Sequence, residues 1–256
     1  MNFERMAITI KNWFKGIFQT AAFFGAYLLF AVVGALVSLM CLMPAVLFHG
    51  KRVRSFGQKL IHVLFRIFIG YVRLFGLVEL DADELSELRA SKGLIVAANH
   101  PCLLDAVLMV SQMPQVVCLM KGVLARNIIF SGTSQLAGYI NNKSSLGLVN
   151  KCRERLNEGA NLLVFPEGTR TVGGELRPFK MGFALVAVLT RSPVQTVIIT
   201  AESNHLGKGQ PLLKRPAFPL RYSLRLGRRF QPEPGQDAKK FGALVENYFR
   251  ETLSQS

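Results

Sequence analysis

Gly93-Leu94-Ile95-Val96-Ala97-Ala98-Asn99-His100-Pro101-Cys102-Leu103-Leu104-Asp105 is the stretch on which the fold turns. Gly93 to Ala98 is an unbroken apolar run, the pattern of a strand buried on both faces. A residue before proline is biased away from helical angles, and proline suits a first helical position. The spacing therefore predicts His100 just outside a helix that Leu103 to Met113 continues, with Asp105 in its first turn. On one straight helix, residues five apart diverge by about 140°. A break at Pro101 lets the carboxylate turn back onto the imidazole. Such a pair is two thirds of a hydrolytic triad, in which Asp orients His and His takes a proton from a hydroxyl. No serine accompanies it, so a substrate would bring the hydroxyl. Asp105 is the only aspartate between Glu84 and Gln236, a stretch otherwise rich in Lys and Arg.

Phe165-Pro166-Glu167-Gly168-Thr169-Arg170 is a second anchor, placed after the apolar strand candidate Asn161 to Val164. Gly168 allows backbone N–H groups to approach a ligand closely, and Arg170 offers a planar fork for phosphate. Glu167 accepts from a substrate hydroxyl or holds Arg170 in place.

With both anchors in order and at this interval, the chain resembles the glycerophospholipid acyltransferases, whose type member is lysophosphatidic acid acyltransferase. His100 with Asp105 matches that family's His-x4-Asp block, and Phe165 to Arg170 its Phe-Pro-Glu-Gly-Thr-Arg block. Leu176 to Gly182 is similar to its basic stretch before a helix, and Ser192 to Ile199 to its proline-led strand. The resemblance runs from about Gly93 to Thr200. It implies an O-acyltransferase of phospholipid biosynthesis with His100 as general base and Asp105 as its orienter. Glu167, Gly168, Thr169 and Arg170 would bind the acceptor, supported by Lys143 and Lys121. N–H groups at the start of the helix after Pro101 would stabilise the oxyanion. The chain departs from the family at Gly138 to Lys143. Asn141, Asn142 and Lys143 stand there, where relatives acting on lysophosphatidic acid usually carry an arginine. Lysine supplies a point charge without a bidentate fork, which admits a different acceptor.

Between Lys15 and Lys51 the chain has no Asp, Glu, Lys or Arg, and one membrane span needs only about 20 apolar residues. The segment predicts a long tilted helix or a helical hairpin broken near Gly34 or Pro44. Arg5, Lys11 and Lys15 precede it and Lys51, Arg52 and Arg54 follow. Basic residues on both flanks favour a hairpin entering one leaflet from the cytoplasmic side. The run exceeds the apolar region of a signal peptide, and no cleavage site follows it. Residues 1–55 are thus expected to be a membrane anchor. Residues 56–256 would hold an amphipathic basic helix, Phe56 to Leu77, and the catalytic domain. That helix either lies in the membrane interface or packs on the domain. Glu79 to Glu87 reads as a solvated helix.

Strand candidates at Gly93–Ala98, Val116–Met120, Gly138–Asn141, Leu162–Phe165, Val194–Thr200 and Tyr222–Leu226 alternate with helix candidates at Leu103–Met113, Leu146–Asn157, Phe183–Thr190 and Ala238–Leu253. The expected class is α/β: a layered domain with a mixed, largely parallel sheet flanked by helices, plus the N-terminal apolar helical segment.

Cys41, Cys102, Cys118 and Cys152 have no metal-ligand spacing and read as reduced thiols. No metal and no bound cofactor is expected. Cys102 adjoins His100 but reads as a small buried hydrophobe rather than a nucleophile. The net charge of +15, from 31 Lys and Arg against 16 Asp and Glu, asks for an anionic partner. No nucleic-acid-binding signature occurs, and a polybasic surface beside an apolar anchor fits anionic lipid headgroups. The expected partners are membrane lipid, a lysolipid acceptor and either acyl-CoA or acyl carrier protein as acyl donor. A specialised lipid acceptor, or a non-catalytic lipid-binding module on the same fold, are the alternatives.

Overall fold

The computed structural model describes residues 3–141, 145–171 and 175–255. Two helices come first, α1 (Phe3–Leu47) and α2 (Lys51–Leu74). α1 runs unbroken past Gly34 and ends one turn beyond Pro44, so the hairpin expected inside residues 15–51 is not formed there. The reversal falls at Phe48 to Gly50, and α1 and α2 are themselves the two antiparallel arms. Gln19 Nε2 donates to the Gly76 carbonyl at 3.1 Å and Tyr71 Oη to that of Ala22 at 3.3 Å, while Phe30 packs on Phe68 with ring centroids 5.1 Å apart.

The remaining elements are β1 (Val78–Asp81), a 3-10 helix (Asp83–Arg89), β2 (Ile95–Ala98), α3 (Asp105–Gln112), β3 (Val116–Met120), α4 (Gly122–Ala125), α5 (Ser131–Leu136) and β4 (Ile140–Asn141). They continue with α6 (Ser145–Asn157), β5 (Asn161–Val164), α7 (Gly182–Thr190), β6 (Val194–Ala201), β7 (Leu220–Phe230) and α8 (Ala238–Ser254). The described strands form one sheet in the order β1-β7-β6-β2-β5-β3-β4. Every pairing is parallel except β6 with β7, so the sheet is mixed and largely parallel.

Successive residues of a strand face opposite sides, and β2 shows what this does. Val96 and Ala98 enter a core with Ala22 and Phe23 of α1, Ile61 and Ile69 of α2 and Leu108 of α3. Ile95 and Ala97 enter a second core with Cys152 of α6, Phe183 and Ala187 of α7 and Phe241 and Phe249 of α8. Helices thus cover both faces, which is why β2 and β5 are apolar at nearly every position. Because Ala22, Phe23 and Ala26 are buried in the first core, α1 is packed into the domain and the expected boundary at residue 55 is not a seam. α2 combines the two expected fates. Ile61, Ile69 and Val72 are buried in the core, whereas Phe56, Ile67 and Leu74 stand exposed. Arg54 does not serve as a free flanking cation, since it binds Glu154 and Glu158 of the α6 region.

The acidic stretch Glu79 to Glu87 is a strand edge followed by a 3-10 helix rather than one solvated helix. Glu79 and Asp81 stand on β1 beside β7 and pair with Arg221 and Arg225 there, joined by Glu84 from the 3-10 helix.

Close packing of α1 on α5 rests on Gly132. A Cβ there would lie 1.7 Å from the Ser38 carbonyl oxygen and 3.0 Å from the Leu42 nitrogen, both backbone. Gly132→Ala is therefore expected to destabilise the protein by about 1–3 kcal/mol through overpacking. Gly70→Ala in α2, where a Cβ meets nothing within 4 Å, should not. Thermal unfolding of both variants in detergent checks this; equal melting temperatures would contradict the α1–α5 contact.

Candidate active site

β2, β5 and β3 are adjacent and parallel, so the segments following their C-terminal ends, Asn99 onward, Phe165 onward and Lys121 onward, emerge along one edge of the sheet. The turn after β2 differs from the expected one. Pro101 is not helical; Cys102 to Leu104 form a turn and α3 begins at Asp105. The turn still brings the pair together, with His100 Nδ1 2.8 Å from Asp105 Oδ2. Asp105 is fully buried, and its Oδ2 also accepts from the Cys102 N–H at 2.8 Å while Oδ1 accepts from the Cys102 thiol at 2.9 Å. An ionised Asp105 accepts only, so Nδ1 carries the proton and the Nε2 lone pair faces away from it. Among the described residues no hydrogen-bond partner occupies Nε2.

Two of the N–H groups that follow Pro101 have partners within the protein. That of Cys102 goes to Asp105, and that of Leu103 goes to the Leu206 carbonyl at 3.0 Å.

Neighbouring groups fix the backbone and ring of His100. Asn99 pairs with β6 like a further strand residue, donating to the Ile199 carbonyl at 2.8 Å and accepting from the Ile199 N–H at 2.7 Å. The His100 N–H donates to Glu167 Oε1 at 3.0 Å, and its carbonyl accepts from the Thr171 N–H at 2.7 Å. Phe165 stacks on the imidazole with centroids 4.2 Å apart.

Glu167 has a different place from the one expected. The residue is 3 % exposed. It accepts from the His100 N–H, from Thr171 Oγ1 at 3.1 Å and from the Arg177 N–H at 3.2 Å, and it neither contacts Arg170 nor faces open space. It ties the His100 turn to the loop after β5. Arg170 Nη1 donates to the carbonyls of Leu206 at 2.8 Å and Gly207 at 3.1 Å, and among the described residues Nε and Nη2 have no hydrogen-bond partner. Gly168 takes a φ of 66°, and the Lys180 side chain lies across it, Nζ being 2.9 Å from where a Cβ would be. Lys180 thus adds a cation at this turn that sequence reading noted only as part of a basic stretch. Thr169 is half-buried beside it, and Lys121 is exposed at the end of β3. Lys143 lies outside the described residues.

A cavity of about 260 Å³ opens beside the same sheet edge. Phe30, Val37, Phe65, Met120, Phe130 and Tyr139 are among its walls, so it is almost wholly apolar and lies between α1, α2 and the end of β3. Cys102 is buried, and burial first, then the charge of Asp105, pushes its thiol well above the ordinary range. A thiol so placed is not a nucleophile at neutral pH.

Replacing Glu167 by Gln puts an NH2 group against donors or leaves them unpaired, so Glu167→Gln should cost about 1–3 kcal/mol of stability, read as a lowered unfolding midpoint. An unchanged midpoint would contradict the brace. Cys102 should resist iodoacetamide at neutral pH until the protein is unfolded, as peptide mapping of alkylated sites would show; rapid alkylation of the native protein would contradict its burial.

The acyltransferase family model matches residues 80–200. The 1-acyl-sn-glycerol-3-phosphate acyltransferase of Helicobacter pylori is 29% identical over 132 residues, 49% of this chain and 55% of that one. The enzyme of the same name from Cocos nucifera is 29% identical over 148 residues, 55% of this chain and 46% of that one. The chain spans about half the length of these relatives. The crystal structure of the 1-acyl-sn-glycerophosphate (LPA) acyltransferase PlsC from Thermotoga maritima superposes with a TM-score of 0.71 at 20% identity, covering 94% of this chain and 97% of that one, a likeness of fold. The matched residues 80–200 hold His100, Asp105 and the Phe165 to Arg170 turn, and over them the chain is similar to the acyltransferase family.

Proposed function

We propose that the protein moves a fatty acyl group from a thioester to a hydroxyl of lysophosphatidic acid or a related lysolipid at a membrane. The observation that carries this reading is the 2.8 Å His100–Asp105 contact with Nε2 left open. Nε2 takes the proton of the acceptor hydroxyl as its oxygen attacks the thioester carbonyl. Asp105 stabilises the imidazolium so formed. Collapse of the tetrahedral intermediate expels the thiolate, which recovers the proton from Nε2. No metal or bound cofactor enters these steps, and acyl-CoA and acyl carrier protein are alternative donors. Glu167 acts on the reaction by positioning His100. Gly168, Thr169, Arg170 and Lys180 line the turn that receives the acceptor's headgroup, with Lys121 across the strand ends. Lys143, in place of the arginine usual in relatives acting on lysophosphatidic acid, supports a second reading, the same chemistry on a specialised acceptor. The apolar cavity beside Met120 suits an acyl chain.

Membrane association rests on α1. Trp13–Leu47 is 35 residues long and apolar enough to cross a membrane by length and composition. At 1.5 Å per residue it measures about 50 Å, against a hydrocarbon thickness of about 30 Å. Its antiparallel pairing with α2 fits a hairpin seated in one leaflet. Arg5, Lys11 and Lys15 stand at one end of the apolar run and Lys51 and Arg52 at the other, so both clusters reach headgroups of the same face when the pair lies along that leaflet, and basic residues favour the cytoplasmic one.

Purified membranes carrying the protein should consume an acyl thioester in the presence of lysophosphatidic acid, and His100→Ala should lower the rate by a factor of about 100 to 10,000 while leaving the protein folded. A near-wild-type rate would sink the mechanism. Arg170→Lys should reduce transfer to lysophosphatidic acid more than to a monoacylglycerol, because the paired hydrogen bonds of the guanidinium are lost. Equal effects on both acceptors would move the phosphate away from Arg170 and favour the specialised acceptor.

A further inference from the structure

β6 and β7 are joined by an 18-residue connection, 202–219, longer than a compact domain needs and of the length at which loops are usually functional. Residues 203–219 contain no Asp or Glu and carry Lys208, Lys214 and Arg215. Residues 208–215 are all exposed, and among them Leu212 and Leu213 stand 45% and 65% exposed directly beside two of those cations. The loop is held against α1. Tyr27 Oη donates to the Leu212 carbonyl at 2.7 Å, Phe218 packs on Phe23 with centroids 5.5 Å apart, and Arg215 borders a shallow hollow with Trp13, Ile17 and Phe24. Trp13, Ile17 and Phe24 are themselves exposed apolar residues of α1, so the leucine pair continues the apolar surface of that helix. At its other end the loop supplies the Leu206 and Gly207 carbonyls that hold Arg170.

We propose that Lys208 to Arg215 is a second membrane contact, in which Leu212 and Leu213 enter the boundary between headgroups and acyl chains while Lys208, Lys214 and Arg215 bind anionic headgroups. Exposed leucines flanked by cations, with no acid among them, are the composition of an interfacial element. The site this creates takes the anionic surface of a bilayer, and it rests on the reading above that α1 lies in the membrane. Because Arg170 hangs from the same loop, the contact sets the headgroup-binding turn one short segment above the lipid surface, where a lysolipid acceptor arrives.

The test uses the full chain reconstituted into phosphatidylcholine vesicles, with and without phosphatidylglycerol, and brominated acyl chains as quencher. Trp13 is the only tryptophan and reports on α1. Leu213→Trp, or Leu212→Trp as a second position, in a Trp13→Phe background reports on the loop. The expected result is a blue-shifted loop indole quenched by bromolipid in phosphatidylglycerol vesicles, an effect weakened by salt. Replacing Lys208, Lys214 and Arg215 together by Gln should lower the loop's bound-to-free ratio on the order of 100-fold, about fivefold per cation, while Trp13 stays quenched in the otherwise native chain. A loop indole that remains water-like while Trp13 is quenched would overturn the proposal and leave the α1 reading standing. So would a loop indole that responds to acyl carrier protein and not to vesicles, or one quenched equally with and without phosphatidylglycerol. Absence of Trp13 quenching would remove the α1 reading and the loop contact together.

Discussion

A carboxylate without solvent contact has to be met by donors, and Asp105 is met entirely by its own neighbourhood: the His100 ring, the Cys102 N–H and the Cys102 thiol. That requirement shapes the turn after β2. Residues 101–104 form a turn in which Cys102 brings both its N–H and its thiol onto Asp105, α3 starts at Asp105 itself, and His100 is left facing the sheet edge. The same contact fixes the tautomer and thereby leaves Nε2 as the basic nitrogen. A proton-transfer geometry follows from satisfying one buried charge.

A second carboxylate extends the arrangement across the sheet. Glu167 comes from the loop after β5 and accepts from the backbone of His100, from Thr171 and from the backbone of Arg177. With Asn99 clamped to β6, the turn bearing the imidazole is tied to both strands that flank β2. Positioning of this kind is worth most when it costs no rearrangement during reaction, and here it comes from strand order alone. Beyond the sheet edge, α1 and α2 cover one face and carry exposed apolar residues away from it. The exposed apolar surface of α1 and α2 and the open imidazole nitrogen thus belong to one fold, joined by the loop whose carbonyls hold Arg170.

Much of this was legible in the sequence. β2 and β5 announce themselves as apolar runs because both their faces are covered, and the five-residue interval from His100 to Asp105 already implied contact once Pro101 broke the helix. β1 was hidden, since Glu79 and Asp81 look like solvated helix residues until β7 brings Arg221 and Arg225 alongside. The role of Glu167 was hidden for a similar reason, the His100 N–H that it accepts from lying 67 residues away in the chain. For α1 the sequence admitted both a long helix and a hairpin broken near Gly34 or Pro44, residues that weaken helices, and the long helix is the one formed. Pro44 sits only one turn from the helix end, where the loss is small. That Ala22 and Phe23 enter the core, and that Gly132 exists to admit Ser38, are facts of packing between distant segments, which no local pattern carries.

In the proposed reaction Asp105 holds the His100 imidazole as a base. The most direct measurement is steady-state transfer to a lysolipid by Asp105→Asn, which keeps the shape of the side chain and removes its charge. The expected result is a fall in kcat on the order of 10,000-fold, as in hydrolytic triads that lose this charge, with KM for the acceptor little changed and the protein still folded. A kcat within a few-fold of wild type would contradict it and reduce Asp105 to a cap on the turn after β2.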